Sequence, residues 1–184
     1  MSRQEKNESS HESSSKNWWS QRSPLTRFFV MFIFLMVIFY AFYYSPLYDL
    51  YIKDGLLTAQ AKISSVILNL FGFNTIAAGD QIYNDDFVVS IKGGCDGMEA
   101  TALYICGILA FPLVTMNNKW RGLFAGVVVL GIINIVRIVG LFLSGLYWPS
   151  AFEFLHLHGG VVIFTIFAII LWVIWVNRQI KNKT

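Results

Sequence analysis

Charge is what this sequence has least of. Only 14% of its 184 residues are Asp, Glu, Lys or Arg, while 55% are hydrophobic. Soluble domains usually carry about 25% charged residues, so an ordinary soluble globule is excluded and a membrane protein is indicated. Cysteine is scarce as well: there are two, Cys95 and Cys106. On one helix they would stand about 16 Å apart, well beyond the roughly 7 Å a disulfide spans. No CxxC pair and no His/Cys cluster is present, so no zinc site is expected. The net charge of +3 is small, and no nucleic-acid partner is expected. What matters is where the basic residues lie, because loop Lys and Arg set membrane orientation.

What is present is a set of long uncharged runs. About 20 apolar residues cross a bilayer, and residues 28–48, 98–117, 122–146 and 158–177 approach that length. Pro46 and Asp49 mark the end of the first run. Residues 1–24 are polar and serine-rich and read as a disordered tail, with Trp18 and Trp19 near the membrane interface. They do not read as a cleaved signal peptide, since the next apolar run is too long and no small-residue cleavage site follows it. Arg22 and Arg27 precede the first span, Lys119 and Arg121 join the second to the third, and the basic tail 179–184 follows the fourth. These three basic sites fall on one side, which predicts a plasma-membrane protein with both termini cytoplasmic.

The segment 49–95 then lies outside. "LLTAQAKISSVILNLFGF" has apolar residues at helical spacing, with Lys62 and Ser64 on another side, and predicts an amphipathic surface helix. "NTIAAGDQIYNDDFVVSIKGG" predicts two short strands around an Asn-Asp-Asp turn. The expected fold is an all-α integral membrane protein. It has four transmembrane helices over residues 25–178, a short extracytoplasmic amphipathic helix and a β-hairpin-like segment.

The polar residues inside this frame need a reason. Cys95 falls at the mouth of the second span. A cysteine at a helix N-terminus meets unpaired N–H groups and the positive end of the dipole, which favour a thiolate. The N–H groups of Asp96 and Gly97 could hold a developing oxyanion. Gly93, Gly94 and Gly97 permit tight turns and close approach. Cys106 lies among apolar neighbours and reads as packing.

Arg137 sits within the third span, about 14 Å below its outer end. An intramembrane arginine is by default a functional hypothesis. Asn134 shares its face, and Glu99, one turn into the second span, is a candidate ion partner. His156 lies at the mouth of the fourth span, with Glu153 three residues before it to orient the ring. His158 points about 200° away on a helix; His11 lies in the tail. Cys95, His156 and Arg137 thus converge on one side of the membrane. A thiolate, a base and a cation make a thiol acyl-transfer site.

Three stretches carry a resemblance: "GCDGMEATALYICGILAFP", "NIVRI" and "HLHGGVVIF". Together, over residues 25 to 178, they resemble the exosortase/archaeosortase family of membrane cysteine transpeptidases. The compact length and "CDGMEA" look closest to the exosortase H-like branch. Asn134 and Arg137 match the family's N-x-x-R. His156, with Gly160 at +4 and Phe164 at +8, matches its histidine motif better than His158 does. The resemblance implies a sortase-like reaction on secreted proteins that end in a recognition motif, a single span and a basic cluster. Cys95 would form a thioester, His156 would act as acid and base, and Arg137 would stabilise the oxyanion or dock the substrate. The acceptor would be a surface glycan or lipid, and no cofactor is implied. The competing reading is a non-enzymatic membrane subunit in which Arg137 and Glu99 form a structural ion pair. A channel is weaker still, because two intramembrane charges offer little pathway.

Overall fold

The computed structural model describes residues 22–91 and 95–181, with only the backbone of 157 and 158. The tail with His11, Trp18 and Trp19, the glycines Gly93 and Gly94, the side chain of His158 and the last three residues lie outside the described residues.

Helix α1, Pro24–Tyr43, opens with Ser23, whose hydroxyl accepts from the Thr26 N–H, and with Pro24 at its first position. Both are standard start signals. None of its residues is buried, and Phe29, Ile33, Phe34 and Val37 are exposed, as an apolar solvent requires. It stops at Tyr43, five residues short of the expected end at Tyr48. Pro46 disfavours helical backbone at the preceding residue, and Ser45 is extended at φ −84°, ψ 151°.

A short turn, Pro46–Tyr48, and a wide turn, Asp49–Lys53, lead into α2, Asp54–Leu70. Its buried face is Leu57, Ala61, Ser64, Ser65 and Leu68. Ser64 therefore belongs to the core and not beside Lys62 as expected. Two positions on a helix differ by about 200°, and Ser64 continues the 57–61–68 stripe.

The following segment makes three strands, one more than expected: β1 (Ile76–Ala78), β2 (Gln81–Tyr83) and β3 (Val88–Ser90), antiparallel in that order. Ile82 pairs with Val89, and both are buried. Asn84 closes the second turn by accepting from the N–H groups of Asp86 and Phe87. The extra strand is the run Ile-Ala-Ala, too short to show alternation.

Helices α3 (Met98–Ala110), α4 (Met116–Tyr147), α5 (Pro149–Phe154) and α6 (Gly160–Lys181) complete the chain, with a wide turn, Leu155–Gly159, between the last two. Among the described residues α1, α4 and α6 are long and apolar enough to cross a membrane, while α3 is a shorter apolar helix of 13 residues. It ends at Ala110 rather than at 117, because Pro112 again holds the residue before it extended. The 32-residue α4 starts six residues earlier than expected and takes in Lys119. That side chain is buried, and its Nζ donates to the carbonyl of Leu109 at 2.7 Å, capping the open end of α3.

α3 packs against α1, α4 and α6. Close approach rests on glycine: Gly126 lies under the ring of Tyr104, whose hydroxyl donates to the carbonyl of Gly122 at 3.0 Å. A second core joins α2, the sheet, Cys95 and the residues Ile138, Leu141 and Phe142 of α4. The thiol is a member of this second core.

Candidate active site

The chain leaves β3 and reaches Cys95 at the head of the turn before α3. Cys95 is 5% exposed. Gly97, which caps α3, is left-handed at φ 75°. A Cβ there would come within 2.9 Å of Asn134 Cγ and 3.1 Å of Phe164. Only glycine meets both demands, and the turn can therefore nest between α4 and α6.

Asp96 is the most heavily bonded residue of the turn. Its carboxylate Oδ2 accepts from Tyr43 Oη at 3.1 Å and Tyr48 Oη at 3.4 Å, and its Oδ1 from the Met98 N–H at 3.1 Å. Its main-chain carbonyl accepts from Gln60 Nε2 at 2.9 Å and Asn134 Nδ2 at 3.2 Å. Burial, and then the charge of Asp96 and the hydrogen bond to it, push Tyr48 up to about 12. Its hydroxyl therefore keeps its proton and remains a donor. Among the described residues no acceptor takes the N–H of Asp96 or of Gly97, the two donors considered for an oxyanion.

Opposite the turn, His156 lies in the wide turn between α5 and α6. Its Nδ1 is 3.9 Å from Cys95 Sγ, and its carbonyl is also 3.9 Å from that sulfur. Such a separation is at the long end for a sulfur contact, a slack common before substrate tightens a site. Phe152 stacks on the imidazole at 5.1 Å and 19°. The expected orienting residue, Glu153, is exposed and makes no hydrogen bond to His156 among the described residues; the ring of Phe152 packs on the imidazole.

Arg137 lies over the ring of Phe164, 5.4 Å from guanidinium carbon to centroid. Gly160 lies beside it, where a Cβ would meet Arg137 Nε at an ordinary 3.4 Å but would press on the Leu155 carbonyl oxygen at 2.8 Å. Arg137 borders an apolar cleft of about 300 Å³ between α4 and α6, with Gly140 and Leu155 on its walls. Among the described residues no ion pair joins Arg137 to Glu99. Glu99 lies in the first turn of α3. Cys106 is a buried free thiol within α3, remote from this turn by sequence and packed.

The structure therefore brings Cys95, Asp96, Gly97, Asn134 and His156 together, with Arg137 joined to the same cluster through Phe164 and Gly160. Sequence reasoning missed Tyr43, Tyr48 and Gln60. Gln60 did carry a signal, lying three residues after Leu57 and four before Ser64 on the buried stripe.

A polytopic membrane protein with a buried thiol facing an imidazole is the class these features define. The chain belongs to the transmembrane exosortase family: the family model described as transmembrane exosortase (EpsH) matches residues 19–173. That family is generally one of cysteine transpeptidases acting on secreted proteins with sorting signals. Neither the curated proteins nor the solved structures gave a match.

Proposed function

We propose that this protein is a membrane cysteine protease/transpeptidase nearest the exosortase H-like branch, and that Cys95 is its nucleophile. The observation that carries the reading is the 3.9 Å approach of Cys95 Sγ to His156 Nδ1 across 61 residues of chain. In the reaction, His156 takes the thiol proton and the sulfur attacks the carbonyl carbon of the scissile peptide bond. The bond to nitrogen breaks, and His156 returns the proton to the leaving amine. The thioester on Cys95 then passes its acyl group to an acceptor, a surface glycan or lipid, or to water. The N–H groups of Asp96 and Gly97 stabilise the oxyanion. Arg137, placed over the ring of Phe164, supplies positive charge at the same place.

The substrates are secreted proteins with a C-terminal motif, a span and a basic cluster. They meet an enzyme whose four spans, α3 among them, leave both termini cytoplasmic and the thiol outside. The structural ion pair on which the non-enzymatic reading relied is absent among the described residues, so that reading loses its support.

The test is processing of a secreted protein bearing such a tail in cells expressing the full chain. Cys95→Ala and His156→Ala accumulate in the membrane and leave the substrate uncut. Processing by Cys95→Ala would sink the proposal.

A further inference from the structure

Two side-chain amides, one buried and one half-buried, converge on one carbonyl. Gln60 Nε2 of α2 and Asn134 Nδ2 of α4 both donate to the main-chain oxygen of Asp96. Their orientation follows from the partner, since a carbonyl takes only donors. Each amide thereby leaves its own oxygen behind: Gln60 Oε1 and Asn134 Oδ1 are buried and have no partner among the described residues. Asn134 is 2% exposed. An unmade bond at a buried acceptor is destabilising, and an apolar residue at either position would avoid it. Stability alone does not explain two such amides.

The peptide unit does explain them. The Asp96 carbonyl belongs to the same planar trans unit as the Gly97 N–H, and in that unit C=O and N–H point in opposite directions. Gripping the oxygen from one side aims the hydrogen at the other. Gly97 is the residue where the grip is needed, because a left-handed glycine leaves its flanking peptide planes freest to rotate. The carboxylate of Asp96, held by Tyr43, Tyr48 and the Met98 N–H, fixes the other end of the residue. Three separate pieces of chain, residues 43–48, α2 and α4, therefore hold the one residue that follows the thiol.

We infer that Gln60, together with Asn134, is a positioning residue that locks the Asp96–Gly97 peptide so that the Gly97 N–H serves as an oxyanion donor to a carbonyl attacked by Cys95. The inference rests on the acyl-transfer reading above.

Two small reagents separate this role from general disorder, using the full chain in detergent with adducts assigned to Cys95 by mass spectrometry. p-Nitrophenyl acetate reacts at a carbonyl: a C–S bond forms, nitrophenolate leaves with the electron pair, His156 takes the thiol proton, and an oxyanion develops on the way. Iodoacetamide reacts at a saturated carbon: a C–S bond forms, iodide leaves, and no oxyanion arises. In Gln60→Leu, and in the equally long Gln60→Met, acylation of Cys95 falls tenfold or more while alkylation stays within about twofold of the wild type. Equal slowing of both reactions, or no slowing of either, overturns the inference. A wild-type Cys95 that alkylates but never acylates overturns the acyl-transfer reading itself. A wild type that acylates normally beside unaffected Gln60 variants removes the positioning role alone.

Discussion

Arg137 of α4 lies against the face of Phe164 of α6, 5.4 Å from the ring centroid. This joins a half-buried charge of the bundle to the helix that follows His156. A guanidinium stacks flat on a ring and donates in a fixed fork, whereas an ammonium is a strongly hydrated point charge. Arg137→Lys therefore keeps the charge and loses the geometry. Substrate processing should fall about tenfold or more, since cation–π contact in a desolvated site contributes about 2 kcal/mol. Phe164→Leu should move in the same direction. Wild-type kcat/KM in Arg137→Lys would remove the stack from the mechanism.

Gly97→Ala should be severe. The residue is left-handed, and the new methyl would press on Asn134 and Phe164. The conformation alone costs about 1–2 kcal/mol, and the crowding adds to it. Thermal unfolding in detergent should shift down. Cys95 should become more accessible to a bulky maleimide as the turn leaves its nest. An unchanged melting temperature would contradict the placement.

Gly126→Ala tests the bundle rather than the site. Its methyl would have to displace the ring of Tyr104 and break the hydroxyl bond to Gly122. Overpacking of this kind costs about 1–3 kcal/mol, with activity per folded molecule little changed. Gly131, with open space around it, is the control position on the same helix.

Tyr48 gives an alkaline signature. Its folded value is raised from 10.0 to about 12, so the native state holds this proton more tightly than the unfolded chain. The stabilisation is complete below pH 10 and is lost as pH rises from about 10 to about 12. Unfolding followed by tryptophan fluorescence across that range should show the loss in the wild type. It should be shallower in Tyr48→Phe, whose stability at pH 8 is already lower for want of one bond to Asp96. Identical alkaline slopes in the two proteins would contradict the assignment.

Hydropathy made the apolar helices legible, and the alternation of basic ends placed Cys95 and His156 at the mouths of two of them before any distance was known. The helix ends were harder to read. α1 and α3 both stop where a proline forbids helical backbone just ahead, at Tyr43 and Ala110, although the apolar composition runs on. Ser64 misled because a hydroxyl suggests solvent, while its size suits a crowded helix face. The grip on Asp96 left almost no trace. Tyr43, Tyr48 and Gln60 are ordinary residues in ordinary positions, and a hydrogen bond to a carbonyl imposes no pattern on sequence. The suggested pairing of Arg137 with Glu99 forms no ion pair among the described residues, and hydropathy alone does not say which face of a helix a side chain takes.

The 61-position separation of Cys95 and His156 also sets an order of events during synthesis. The thiol leaves the ribosome before the imidazole it faces, and Phe164 of α6, which lies against Gly97, follows both. Under the proposed mechanism, a chain that ends before residue 156 carries the thiol without its imidazole partner.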